Sequence, residues 1–132
     1  MARDSRRGSA MLESALSLTL LLTMLFGIIE FGRATWMYSL TSYLANEGAR
    51  YAMVRGGASA SPADAAAVSA YVRGLAVGVD PAALTVDTTW SPDNAPGSMV
   101  TVKVASSFHF NAPYMPGKTL ALGSTAKITV AR

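Results

Sequence analysis

The feature that most constrains this chain is an uncharged apolar run near its N terminus. Sixteen consecutive residues, 14–29, carry no charge and consist mainly of Leu, Ile, Met and Phe. As a helix they would span roughly 24 Å, and with Met11, Leu12 and Phe31 they approach the ~30 Å hydrocarbon core of a bilayer. The run therefore predicts one transmembrane helix.

Basic residues concentrate on one side of this run. Arg3, Arg6 and Arg7 precede it against a single Asp4. The positive-inside rule then places the N terminus in the cytoplasm and the rest of the chain on the far side, with Arg6 and Arg7 as the topology signal. The net charge is only +3, and the part beyond residue 8 is nearly neutral, so no nucleic-acid partner is expected.

The helical pattern continues past the apolar run. No proline occurs between residues 30 and 53, and small or apolar side chains recur at steps of three and four. This spacing predicts one helix from about residue 10 to about residue 54, ended by the flexible stretch "RGGASASP" at 55–62. The predicted stripe consists of Ala34, Met37, Tyr38, Thr41, Leu44, Ala45, Gly48 and Ala52.

A short second helix is predicted after residue 60. Ser61 is the expected N-cap, with Pro62 at the first helical position and Asp64 at the third. Gly78 is the expected C-terminal stop. An apolar face for packing on a sheet follows from the spacing of Val68, Tyr71, Val72 and Leu75.

The rest of the chain alternates between apolar and polar residues, as strands do. Residues 84–90, 99–110 and 119–131 predict three antiparallel strands, separated by the turn-rich linkers "SPDNAPG" and "NAPYMPG". Gly123 interrupts the third strand and predicts a bulge or bend. The expected fold class is α+β, with the outer half of the long helix covering one face of the small sheet.

Catalytic chemistry finds little support in the sequence. The chain has no cysteine and one histidine, His109, which is expected on the outward face of a strand. It also lacks a phosphate-binding glycine loop and a nucleophile elbow. We therefore expect no enzyme activity, no catalytic residues, no cofactor and no metal site. Glu30 with Arg33, and Glu47 with Arg50, are expected to form ion pairs three residues apart.

Glu13 is the residue that ordinary membrane insertion does not explain. A lone acid near the centre of a membrane helix costs about 2.5–3.5 kcal/mol. If a protease cut after Gly8, the new ammonium of Ser9 would lie four residues before Glu13, one helical turn away on the same face. That amine, or the amine of a staggered neighbouring subunit, would offset part of the cost.

These features resemble a known family. A basic leader ending in Gly8, Glu13 as the fifth residue beyond it, and an apolar helix immediately after are similar to type IV prepilins. The "IIEFGRA" junction and the segment "ANEGARYA" narrow the resemblance to TadE-like proteins of the tight-adherence (Tad) pilus system. It covers about the first 55 residues. One departure is Ser14, where relatives often carry an aromatic residue.

The resemblance implies a pilin-like organisation and function. Residues 1–8 would be a leader peptide, 9–55 the transmembrane and extended helix, and 56–132 a small extracytoplasmic domain. Gly8 and Ser9 would flank the bond cut by a prepilin peptidase, and Glu13 would serve processing or assembly. The protein would be a minor pilin or pseudopilin, accessory to a Tad pilus that serves adhesion and surface attachment.

The same resemblance implies the partners and the location. The partners would be other pilin subunits, met through the N-terminal helix, the lipid bilayer and an inner-membrane assembly platform. The chain would cross the bacterial inner membrane once, with a periplasmic C-terminal domain, or enter the pilus. An alternative is an unprocessed single-pass anchor whose outer domain binds a partner or carries an adhesive surface.

Overall fold

The computed structural model describes the backbone of residues 2–131 and the side chains from Gly8 to Ala131. Helix α1 spans Ala2–Val54 and helix α2 spans Ala65–Gly74. After a short 3-10 turn at Pro81–Ala83, the strands are β1 (Leu84–Ser91), β2 (Met99–His109) and β3 (Thr119–Thr129). They form one antiparallel sheet in the order β1-β2-β3. The predicted α+β class is confirmed.

Helix α1 is longer than the predicted helix because it begins eight residues earlier, within the expected leader. Its 53 residues make a rod about 80 Å long. Its C-terminal half buries one stripe against the sheet, as the spacing predicted, whereas Tyr38 of that stripe remains exposed. The buried members are Thr41, Leu44, Ala45, Gly48, Ala49 and Ala52.

The hydrophobic core lies between this stripe, α2 and one face of the sheet. Alternate residues of β2 point inward, and all are buried. Helix α2 contributes Val68 and Val72, β3 contributes Ala126, and Val130 follows directly after β3. The opposite face of the sheet carries Thr, Lys and His109 side chains in water, as strand alternation predicts.

The start and end of α2 differ from the prediction. Asp64 is the N-cap, and its carboxylate accepts a hydrogen bond from the Ala67 amide at 2.7 Å. Ser61 does not cap the helix, because the chain after it stays extended. A hydrogen bond from the Ala63 amide to the Arg55 carbonyl holds this extended segment. The helix ends at Gly74 rather than near Gly78.

Gly123 does not form the predicted bulge. The pairing of β2 with β3 runs without interruption, with Gly123 opposite Ala105. A Cβ atom on Gly123 would lie 3.0 Å from the Val104 carbonyl oxygen and 3.1 Å from the Ala105 Cβ. The glycine therefore permits a close approach of the two strands, which the sequence pattern alone did not reveal.

Polar contacts tie the loops to the end of α1. The Asn94 side chain donates to the Ala63 carbonyl, and the Gly57 amide donates to the Asn94 carbonyl. In the same linker, hydrogen bonds from the Ser98 hydroxyl and the Ala95 amide hold the pKa of Asp93 below its usual value. These bonds keep the β1–β2 connection close to the C-terminal end of the rod.

Candidate membrane and assembly surface

The N-terminal half of α1 packs against almost nothing in this chain. Every residue from Gly8 to Ile29 is exposed, including apolar side chains such as Met11 and Leu16, each 75% exposed. Among the described residues, one helix is long and apolar enough to cross a membrane, with a mean hydropathy of 2.0 and no buried residue in its most apolar window. This surface is suited to lipid or to the helices of other subunits.

Three of the hydroxyl groups within this apolar half are satisfied by the helix itself. Ser14 donates to the Ala10 carbonyl at 2.9 Å, Thr19 to Ala15 at 2.8 Å and Thr23 to Thr19 at 2.8 Å. Such bonds to the carbonyl four residues earlier reduce the cost of placing hydroxyls in hydrocarbon. The span therefore tolerates these three hydroxyl groups without a partner chain.

Glu13 lies on this surface without help from the C-terminal domain. Gly8, Ser9 and Glu13 are all exposed and all helical. The domain contacts the apolar half of α1 at the Thr23 carbonyl, which lies 3.5 Å from the Tyr114 hydroxyl and roughly 15 Å of helix rise beyond Glu13. Arg6 and Arg7 lie outside the residues whose side chains are described.

A second acidic residue marks the other end of the apolar run. Glu30 accepts a hydrogen bond from Arg33 Nη1 at 2.8 Å, and the Arg33 guanidinium lies 5.1 Å from the centre of the Phe108 ring. The predicted pair is therefore present, and so is the exposed pair of Glu47 and Arg50, at 3.8 Å. The burial of Glu30, whose side chain is only 10% exposed, was not predicted.

The burial of Glu30 comes from residues 110–118, which we call the membrane-proximal loop. This loop connects β2 to β3 and lies against α1 between Thr23 and Ala34. Between loop and helix is an almost wholly apolar cavity of about 360 Å³, lined among others by Gly27, Phe110 and Met115. Glu30 also lines it, and within the described residues its Oε2 atom is buried without a hydrogen-bond partner.

Sequence reasoning treated this loop as a turn and missed its role. The available signal was its composition, because "NAPYMPG" places Tyr114 and Met115 between two prolines where turns normally carry polar residues. Apolar side chains in a stiff turn indicate a contact with another surface. The position of that surface, however, depends on the length of the β2–β3 hairpin.

His109 is exposed, as expected for a solvated strand residue. Among side chains 8–131, no group of three His, Cys, Asp or Glu residues could hold a metal ion.

A helix long and apolar enough to cross a membrane continues into a small α+β domain, an arrangement that suggests a membrane-anchored protein. Residues 8–50 of this chain match the family described as TadE-like protein. The predicted resemblance to TadE-like proteins is thus confirmed over residues 8–50, about a third of the chain. No curated protein and no solved structure gave a significant match.

Proposed function

We propose that this protein is a minor pilin or pseudopilin that takes part in assembling or priming a Tad pilus. A prepilin peptidase would cut between Gly8 and Ser9, and the processed chain would join other pilin subunits through the exposed half of α1. In this proposal Arg6 and Arg7 hold the N terminus in the cytoplasm and the domain lies in the periplasm. The inner-membrane assembly platform would receive the processed subunit.

The observation that carries this proposal is the placement of Glu13. It lies on an apolar helix surface, and the domain's contact at Thr23 is too far away to cover it. The Ser9 ammonium created by cleavage would supply the missing cation one turn away. The amine could instead belong to a neighbouring subunit that is displaced along the helix axis. The ion pair with Glu13 would then form only between assembled subunits, so the free-energy cost of inserting Glu13 would favour assembly.

The test is the intact mass of the protein recovered from its native host. Loss of the first eight residues is the expected result, with Ser9 as the new N terminus. A full-length chain in cells whose prepilin peptidase is active would contradict the proposal and favour the unprocessed anchor. A Gly8→Glu variant, which blocks the cleavage position, provides the matched full-length reference mass.

A further inference from the structure

The β2–β3 hairpin places its loop at the level of the membrane. Tyr114 contacts Thr23, which lies six residues inside the end of the apolar run at Ile29. Six residues of helix correspond to about 9 Å, within the 5–10 Å by which interfacial segments enter the boundary between headgroups and acyl chains. The membrane-proximal loop thus lies in the outer leaflet when α1 spans the bilayer.

The backbone hydrogen bonds and the exposed apolar side chains of the membrane-proximal loop suit the membrane interface. Its backbone closes on itself, with the Phe110 amide donating to Lys118 at 3.1 Å and the Met115 amide donating to Ala112 at 3.0 Å. Internal bonds of this kind lower the cost of removing a loop from water. Tyr114 remains 49% exposed, and Leu120 and Phe31 extend the same apolar surface on either side.

The cavity behind the loop combines an apolar lining with an acid that lacks one partner. Gly27 and Phe31 line it and are also exposed on the apolar side of α1, so an acyl chain could enter it from the outer leaflet. Glu30 Oε2, at the headgroup end, calls for a hydrogen-bond donor. Arg33 is 42% exposed, and its guanidinium carries further donors suited to a phosphate.

We propose that this cavity binds a phospholipid with a primary ammonium headgroup, of the phosphatidylethanolamine type. The acyl chain fills the space between Gly27 and the membrane-proximal loop. The ammonium donates to Glu30 Oε2, and the phosphate contacts Arg33. This inference rests on the membrane placement in the proposed function and goes beyond it, because it requires neither leader cleavage nor a pilus.

The experiment uses the full chain reconstituted in vesicles that contain phosphatidylethanolamine with a photoreactive group on one acyl chain. After irradiation, adducts on residues 110–120 are counted relative to adducts on residues 16–22 of α1, which contact lipid in any membrane-spanning state. A matched phosphatidylcholine probe has the same chain but no N–H donor. We expect the loop to be labelled about tenfold more with phosphatidylethanolamine, as the loss of one charged hydrogen bond implies.

Two pairs of variants separate the parts of the site. Glu30→Gln should abolish the preference between the two lipids, whereas Glu47→Gln, in the matching ion pair outside the membrane, should leave it unchanged. Gly27→Leu should fill the cavity and reduce loop labelling several-fold, since a Cβ there meets only the Tyr114 hydroxyl at 3.8 Å. Gly32→Leu should not, because a Cβ at Gly32 has no neighbour within 4 Å.

The outcomes distinguish this inference from the membrane placement itself. Labelled α1 with an unlabelled loop would overturn the lipid site while leaving the transmembrane helix intact. Equal labelling by both lipids, or a Gly27→Leu variant that labels like wild type, would overturn it as well. If neither α1 nor the loop is labelled, the membrane placement and the lipid site both fail.

Discussion

Gly48 allows α1, α2 and the sheet to meet closely. A Cβ atom at this position would lie 2.7 Å from a Val72 methyl group and 3.1 Å from a Val102 methyl group. Both valines are fully buried and branched at Cβ, so neither can turn away without disturbing the core. A single missing methyl group on α1 therefore sets the distance between the rod and its domain.

Gly48→Ala should destabilise the domain by about 1–3 kcal/mol, because the added methyl group overpacks a core that has no room for it. Chemical denaturation of the detergent-solubilised protein measures the free energy of unfolding. Gly74→Ala is the control, since a Cβ at that helical glycine meets no atom within 4 Å and alanine favours the helix. Equal stability of the Gly48→Ala protein and wild type would show that the core adapts.

Glu13→Ala should leave membrane insertion intact and reduce pilus assembly or incorporation. Removing the acid lowers the cost of insertion, yet it also removes the partner of the Ser9 ammonium on which the proposed assembly depends. Membrane fractionation and counts of surface pili in the native host measure the two effects. Glu47→Ala is the matched control, because it removes an acid from α1 outside the membrane. Normal piliation in the Glu13→Ala strain would refute the assembly role.

At the scale of elements, the two halves of α1 have different surroundings. The half up to Ile29 is exposed, and the half beyond it covers the sheet. Strand β2 runs antiparallel to α1, from the end near Met53 to the contact of Phe108 with Arg33. Because a strand rises more than twice as far per residue as a helix, eleven strand residues match about 24 helical ones.

The length of this hairpin has a consequence for the membrane. Strand β1 pairs with β2 only as far as Ser106, whereas the β2–β3 pairing continues to His109. The extra residues carry the membrane-proximal loop past Glu30 and onto the apolar half of the rod. The hairpin therefore fixes how deeply the domain approaches the lipid.

Orientation in the membrane should depend on the basic residues before the rod. With both Arg6→Ala and Arg7→Ala, only Arg3 and Asp4 remain as charged side chains on that side, so the charge bias that retains the N terminus is lost. A C-terminal reporter active only in the periplasm should lose much of its signal. Arg50→Ala with Arg55→Ala removes two arginines beyond the membrane and should preserve the signal. An unchanged signal in the first variant would exclude Arg6 and Arg7 as the topology determinant.

At the scale of the whole molecule, the apolar half of α1 is dispensable for the core. The buried core residues begin at Leu44 on α1, and the others come from α2, from the sheet, and from Ala63 and Val130 beside them. The stacked rings of Tyr51 and Tyr71, 4.2 Å apart, and the bond from the Ala131 amide to Met53 join the domain to the C-terminal end of the rod. The domain's stability thus comes from contacts outside the membrane.

A fragment of residues 30–132 should accordingly fold on its own. It keeps every buried residue of the core cluster and the Glu30–Arg33 pair, and it loses only the exposed apolar helix. Circular dichroism should show a single cooperative thermal transition. A fragment of residues 56–132 is the comparison, since it lacks the helical cover and should not unfold cooperatively. A non-cooperative transition in the longer fragment would mean that the span contributes to the fold.

Local sequence patterns predicted most of the helices and strands because hydrophobic periodicity follows the repeat of each type of element. The stripe on α1 and the alternation in the strands follow from 3.6 and 2 residues per repeat, and the pairing of Glu30 with Arg33 follows from helix spacing alone. The start of α2 was misplaced because the end of α1 holds Ala63 in an extended conformation. The role of Gly123 was misread because the strand it approaches is distant in sequence.

By itself, the sequence determined that one apolar helix continues into a small α+β domain, because hydrophobic periodicity encodes which face each element buries. It also determined the TadE-like character of the rod, which lies in contiguous residues. Only the tertiary structure decided that the β2–β3 hairpin extends far enough to cover Glu30 and to form an open apolar cavity against α1. That outcome depends on the register between a helix and a hairpin that are separated by some eighty residues of sequence. No local sequence pattern specifies such a register.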